Sequence, residues 1–107
     1  MLIMVTAGGR NDAERLGEGL VVEHLAGHCS VVPGVHSFYY SDGLLQRESE
    51  ALLMIKTVSS RTNAVYEYLR KNHSYAVPEI YEVVIDGGSP PYLKWLAEQV
   101  VGPDSDR

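Results

Sequence analysis

Hydrophobic and polar positions change period several times along the chain, and each change marks an element. Leu2 to Thr6 is a continuous apolar run of the kind a buried central strand shows. Ala7-Gly8-Gly9 breaks it. Asn11, followed three residues later by Glu14, has the spacing of a capping box and predicts a helix from about Asp12. Ala13, Leu16, Leu20, Val21 and Leu25 recur near the 3.6-residue period, and Gly27 predicts the helix stop. From Cys29 to Tyr40 the residues turn β-branched and aromatic, and Pro33-Gly34 predicts a bulge or kink inside that strand. Asp42-Gly43 reads as a tight hairpin turn. Leu45 to Thr57 is the returning strand, with Ala51, Leu53 and Ile55 alternating. Each arm runs to about a dozen residues, roughly twice the usual strand length.

The second half repeats the alternation of helix and strand. Ser59 or Ser60 is placed to cap a helix whose inward face carries Val65, Tyr68 and Leu69, ending near Asn72-His73. Pro78 opens a strand from Glu79 to Ile85, which Gly87-Gly88 closes. Ser89-Pro90 then reads as an N-cap followed by proline at the first helical position. The last helix is expected over Pro91 to Val100, with Leu93, Leu96 and Val100 inward and Tyr92 or Trp95 at its flank.

The predicted order is βαββαβα. Its first six elements are the split βαβ pattern of a ferredoxin-like sandwich, an α+β fold with one extra C-terminal helix. Residues 1–102 are expected to form one domain and residues 103–107 a loose polar tail. Helices cover one sheet face and leave the other bare. A bare face and long hairpin edges predict a homo-oligomer.

Composition narrows the function classes. The chain has 107 residues, 45% hydrophobic and 21% charged, an ordinary globular balance. Nine cations against fourteen anions give a net charge of −5 with no basic cluster, so neither nucleic acid nor an anionic membrane is an expected partner. No apolar run approaches a membrane span. The short apolar start lacks a basic flank and reads as a strand rather than a signal peptide, which places the protein in the cytoplasm as an expectation. A single cysteine, Cys29, excludes an intrachain disulfide framework.

Several short words then occur in order and at specific distances. LxxxLAGHCSVVPGVHSFY, ExxLLMIKT, HSYAVPEI and a late YLKWL together resemble the divalent-cation tolerance (CutA) family over residues 2–97. The resemblance implies a ferredoxin-like homotrimer, similar in architecture to the nitrogen-regulatory PII proteins, with tolerance of divalent metals and copper binding as the attached properties. The chain also departs from the family. His28 stands where members usually carry cysteine, and Ser30 where they carry asparagine. Tyr39-Tyr40-Ser41-Asp42-Gly43 lacks the family tryptophan, and Ala76 replaces a glutamate.

Candidate chemistry follows from residue type together with that resemblance. Imidazole and thiolate suit copper and zinc, so His28, Cys29 and His73 are candidate ligands, with Glu79 as the carboxylate. Adjacent strand residues face opposite ways, so His28 and Cys29 share one ion only across a kink. Tyr39, Lys56, Tyr75 and Trp95 are candidates for a pocket between subunits. Lone His24 and His36 read as structural. The expected function is non-enzymatic binding of a divalent metal, copper or zinc, by a homotrimer. One alternative is a PII-type regulatory trimer holding a small anion or nucleotide, in which Lys56, Arg10 and Tyr75 matter more. Another is an oligomeric scaffold without a ligand. Gly8-Gly9-Arg10-Asn11 before a helix could cradle a phosphate, as in acylphosphatase-like enzymes of this fold, but that family's loop pattern is missing and no nucleophile or general-base constellation accompanies it.

Overall fold

The computed structural model describes residues 1–101, and the expected loose tail lies outside the described residues. Its elements are β1 (Leu2–Ala7), α1 (Arg10–Val22), β2 (His28–Ser41), β3 (Leu44–Lys56), a 3-10 turn (Ser59–Arg61), α2 (Thr62–Asn72), β4 (Ile80–Val83) and α3 (Pro90–Gln99). The four strands form one antiparallel sheet in the order β2-β3-β1-β4. This is the order that two right-handed split βαβ units dictate.

Strict alternation sets the core. Ile3, Val5 and Ala7 of β1 and Ala51, Leu53 and Ile55 of β3 are buried on the face that α1 and α2 cover. Ala13, Leu16 and Leu20 of α1 and Val65 and Leu69 of α2 close over them. Cys29, Val31, Tyr68 and Ile80 pack at the margin of the same cluster.

Four boundaries differ from the sequence reading, each for a local reason. α1 starts at Arg10, with extended Gly9 before it and the Ala13 amide bonded to the Gly9 carbonyl. Asn11 is therefore already helical and caps nothing. α1 ends at Val22, well before Gly27, because His24 adopts a left-handed conformation (φ 58°) and the Leu25 and Ala26 amides turn back to the Leu20 carbonyl. Val21 consequently points outward. Ser59 and Ser60 lie in the 3-10 turn rather than capping α2, which begins at Thr62. β4 stops at Val83 rather than Ile85, where its ladder with β1 ends at the Leu2–Val83 pair, the Met1 carbonyl before it being bonded to Thr57 instead.

The remaining element limits fall within one residue of the reading, α3 running over Pro90–Gln99 rather than Pro91–Val100. Pro90 opens α3, Leu96 and Val100 are buried, Leu93 is half-buried, and Tyr92 and Trp95 stack at the flank with centroids 5.7 Å apart. α3 rests on Gly27, where an added Cβ would stand 2.6 Å from Leu96 Cδ1. Arg61 Nη2 donates to the Val100 carbonyl, and the His24 imidazole donates from Nδ1 to the Gln99 carbonyl. The hairpin is as long as expected, 14 residues in β2 and 13 in β3, and it gives the molecule an extent of 49 Å along its longest axis. Asp42 and Gly43 both have positive φ, as the mirror-image turn at its tip requires.

Candidate functional site

The helix-free face of the sheet carries the even-numbered residues of β1 and β3, Leu2, Met4, Thr6 and Glu48 to Lys56. On β2 the phase changes partway. Val32 pairs with Leu52, yet the next pair is Val35 with Glu50, so one extra residue is accommodated at Pro33-Gly34. Gly34 absorbs it with φ 74°. Before the bulge, His28, Ser30 and Val32 face the helix-free side. After it, Val35, Ser37 and Tyr39 do.

That phase change brings Ser37 and Tyr39 over Glu48 and Glu50, and the β4 approach adds Tyr75, Val77 and Glu79. Together with Thr6 these residues line a cleft of about 340 Å³ at the base of the hairpin. Tyr39 Oη donates to Glu48 Oε1 at 2.6 Å, and Tyr75 Oη donates to Glu50 Oε2 at 2.8 Å. Glu50 is only 8% exposed, so the phenol is what meets its charge. Burial, the bond to Glu50 and the nearby Glu50 and Glu48 charges push the Tyr75 phenol up to about 12. The hydrogen bond to Glu48 likewise raises the exposed Tyr39 phenol. Tyr75 is therefore a donor that keeps its proton throughout the neutral range.

His73 fixes Tyr75 in place. It is buried at the end of α2, and its Nε2–H donates to the Thr6 carbonyl at 2.8 Å. Its Nδ1 accepts the Tyr75 amide at 3.0 Å, and its ring lies 4.8 Å from that of Tyr75. Both ring nitrogens are thus engaged within the fold.

The four expected metal ligands do not meet within one chain. His28 is exposed on the helix-free face, while Cys29 packs against Gly17 of α1 on the other. Burial pushes the Cys29 thiol up to about 11. His73 is occupied, and Glu79 stands in the cleft. Among the described residues no group of three His, Cys, Asp or Glu side chains has metal-binding geometry. The four expected pocket residues also separate. Tyr39 and Tyr75 share the cleft, Lys56 lies at the far end of β3 beside His28, and Trp95 stacks on Tyr92 in α3. Glu48 and Glu50 went unnoticed in sequence. Their signal was the acidic pair in phase with Leu52 and Met54, two carboxylates on an otherwise apolar stripe.

Comparison with known proteins agrees with this architecture. The CutA1 divalent ion tolerance protein family matches residues 1–99. The divalent-cation tolerance protein CutA of Pectobacterium atrosepticum is 34% identical over 96 residues, 90% of this chain and 87% of that protein. The CutA homolog of Xenopus laevis is 42% identical over 96 residues and 90% of this chain. The chain spans 54% of the chloroplastic rice relative and 64% of the Xenopus one. The crystal structure of CutA1 from Oryza sativa superposes with a TM-score of 0.89 at 37% identity, covering 92% of this chain and 90% of that one. The chain belongs to the CutA1 divalent ion tolerance family.

Proposed function

We propose that this chain is a non-catalytic binding protein of divalent-cation tolerance, a homotrimer that takes a divalent metal ion at the hairpin-base cleft. The observation that carries the locus is Glu50, a carboxylate buried on the helix-free face with Glu48 and Glu79 on the same cleft and no cation lining it among the described residues. A divalent ion supplies the opposite charge that the neutral Tyr75 phenol, the one partner Glu50 has among the described residues, does not. The residues fit the ion in part: the carboxylates supply oxygen ligands, the phenols orient Glu48 and Glu50, and water or a neighbouring copy supplies the rest. Oxygen donors favour Cu(II) over Cu(I), and at any nitrogen or oxygen site Cu(II) binds more tightly than Zn(II).

Assembly is supported by what the helices leave bare. Val32, Tyr81 and Val83 are exposed on the open sheet face, and Phe38, Tyr40, Leu44 and Leu45 on the hairpin. Three copies is the number that the family resemblance implies.

Native mass spectrometry of the metal-stripped protein, titrated with limiting Cu(II) and then Zn(II), tests both claims. The expected spectrum is a trimer of the 11.8 kDa chain taking one ion per subunit. Glu50→Gln and Glu79→Gln should lose that ion, while His28→Ala keeps it. Ragged uptake unchanged in every variant refutes the metal reading, and a monomer refutes the assembly.

A further inference from the structure

A second cluster sits at the opposite end of the same sheet face. Lys56 is the last residue of β3 and pairs across the ladder with His28, the first of β2; Ser30 is its diagonal neighbour. The Lys56 ammonium donates to His28 Nδ1 at 3.2 Å and to Ser30 Oγ at 3.1 Å. Among the described residues the ion pairs involve Arg10, Arg15, Arg70 and Lys71, so Lys56 meets no carboxylate.

The donor count follows from these bonds. An ammonium has three N–H groups, and two are used, leaving one. An imidazole whose Nδ1 accepts carries its proton on Nε2, which has no partner among the described hydrogen bonds. Ser30 accepts from Lys56, so its own O–H is free to donate. One positive charge and three donor groups without a further described partner thus lie side by side on adjacent strands at the sheet edge. Lys56 and Ser30 are half-buried, which weakens competition from water. The surrounding face residues Leu2, Met4 and Met54 are apolar and bring no negative charge.

We infer that His28, Ser30 and Lys56 form an oxyanion site, shaped for a phosphate group. A tetrahedral oxyanion presents several acceptors to such a donor fork, and a charge-assisted bond from the ammonium anchors it. Lys56 and Glu50 are six positions apart on β3, roughly 20 Å of extended strand, so the site is independent of the carboxylate cleft.

The probe is inorganic phosphate, titrated at constant pH and ionic strength against the isotope-labelled full chain. The readout is the backbone amides of residues 28, 30 and 56 and the His28 ring nitrogens. Saturable shifts at these positions, weakened about tenfold or more in Lys56→Gln, support the site; this is the scale of one lost charge-assisted hydrogen bond. His28→Ala and Ser30→Ala, both on the strand surface, should each weaken phosphate and keep the test decisive should Lys56→Gln fold poorly. Glycerol phosphate distinguishes the source: competition at equal or lower concentration points to a phosphomonoester, and failure to compete points to free phosphate. Shifts no larger than chloride gives, or unchanged in the variants, overturn the inference. So does a Lys56→Gln protein that changes assembly mass while the parent ignores phosphate, since a neighbour's carboxylate would then fill the cluster.

Discussion

Replacing His73 by alanine separates a positioning role from metal ligation. The ring makes two bonds inside the fold, to the Thr6 carbonyl and from the Tyr75 amide, and it is 9% exposed. Each such bond contributes about 1 kcal/mol net, and stranding its partner in a buried setting costs about 1–3 kcal/mol. Water can reach Tyr75, which is half-buried, so the lower end applies there. The Thr6 carbonyl, between sheet and loop, is harder to satisfy. The combined loss should be about 2–4 kcal/mol, a large share of the roughly 5–15 kcal/mol that holds a domain together. For a chain this size it lowers the melting temperature by on the order of 10–25 °C. Equilibrium urea unfolding at one fixed chain concentration, monitored by circular dichroism, measures it; the concentration is held because assembly would otherwise move the midpoint. Tyr75→Phe is the companion, keeping ring and amide while losing the bond to Glu50, and should cost about 1 kcal/mol. The reasoning fails if His73→Ala unfolds within about 0.5 kcal/mol of the parent yet no longer takes up metal. His73 would then be a ligand after all.

Three further outcomes follow from the same structure. Cys29, whose thiol moves from 9.0 to about 11, should alkylate with iodoacetamide about a hundredfold more slowly in the folded chain than in urea, because two units remove that share of thiolate. Cys29 and Tyr75 both hold their protons more tightly when folded, so their stabilisation is complete below their ordinary values of 9.0 and 10.0. It is lost as pH rises through about 11 and about 12, and the urea midpoint should fall over that alkaline window. Cys29→Ala and Tyr75→Phe should each flatten the fall. Gly34→Val should cost about 1–2 kcal/mol by urea unfolding, the strain of a side chain in the left-handed region, since no atom stands near enough to clash.

The architecture was legible because each element advertised its own period. Leu2–Thr6, the alternation of Ala51, Leu53 and Ile55, and the stripe of α1 each named their buried face, and Asp42-Gly43 named the turn. The helix boundaries were less so. Asn11 and Glu14 have capping-box spacing, but Gly9 preceded them and the chain entered the helix earlier. Gly27 looked like a stop, yet it is needed for the close approach of Leu96, while the left-handed residue that ends α1 is His24. A glycine requirement set by a neighbouring helix cannot be told from one set by backbone conformation without the neighbour.

The site was harder for a related reason: its residues are grouped by ladder pairing, not by spacing. Tyr39 and Tyr75 were recognisable as candidates, but Glu48 and Glu50 acquire meaning only because the extra residue at Pro33-Gly34 reverses which side of β2 faces them. The bulge itself was visible in sequence; its consequence was not, because the parity of a strand after a bulge depends on where its partner resumes. The same pairing explains why His28 and Lys56, read separately as a metal ligand and an edge lysine, belong together. They are opposite ends of one hairpin that the register closes into a single rung. With the bulge, the helix-free face presents carboxylates just beyond Pro33-Gly34 and donors at the open end, where β2 starts and β3 stops. Without it, Ser37 and Tyr39 would turn toward the helix side and the carboxylates would lose Tyr39, the phenol that bonds Glu48.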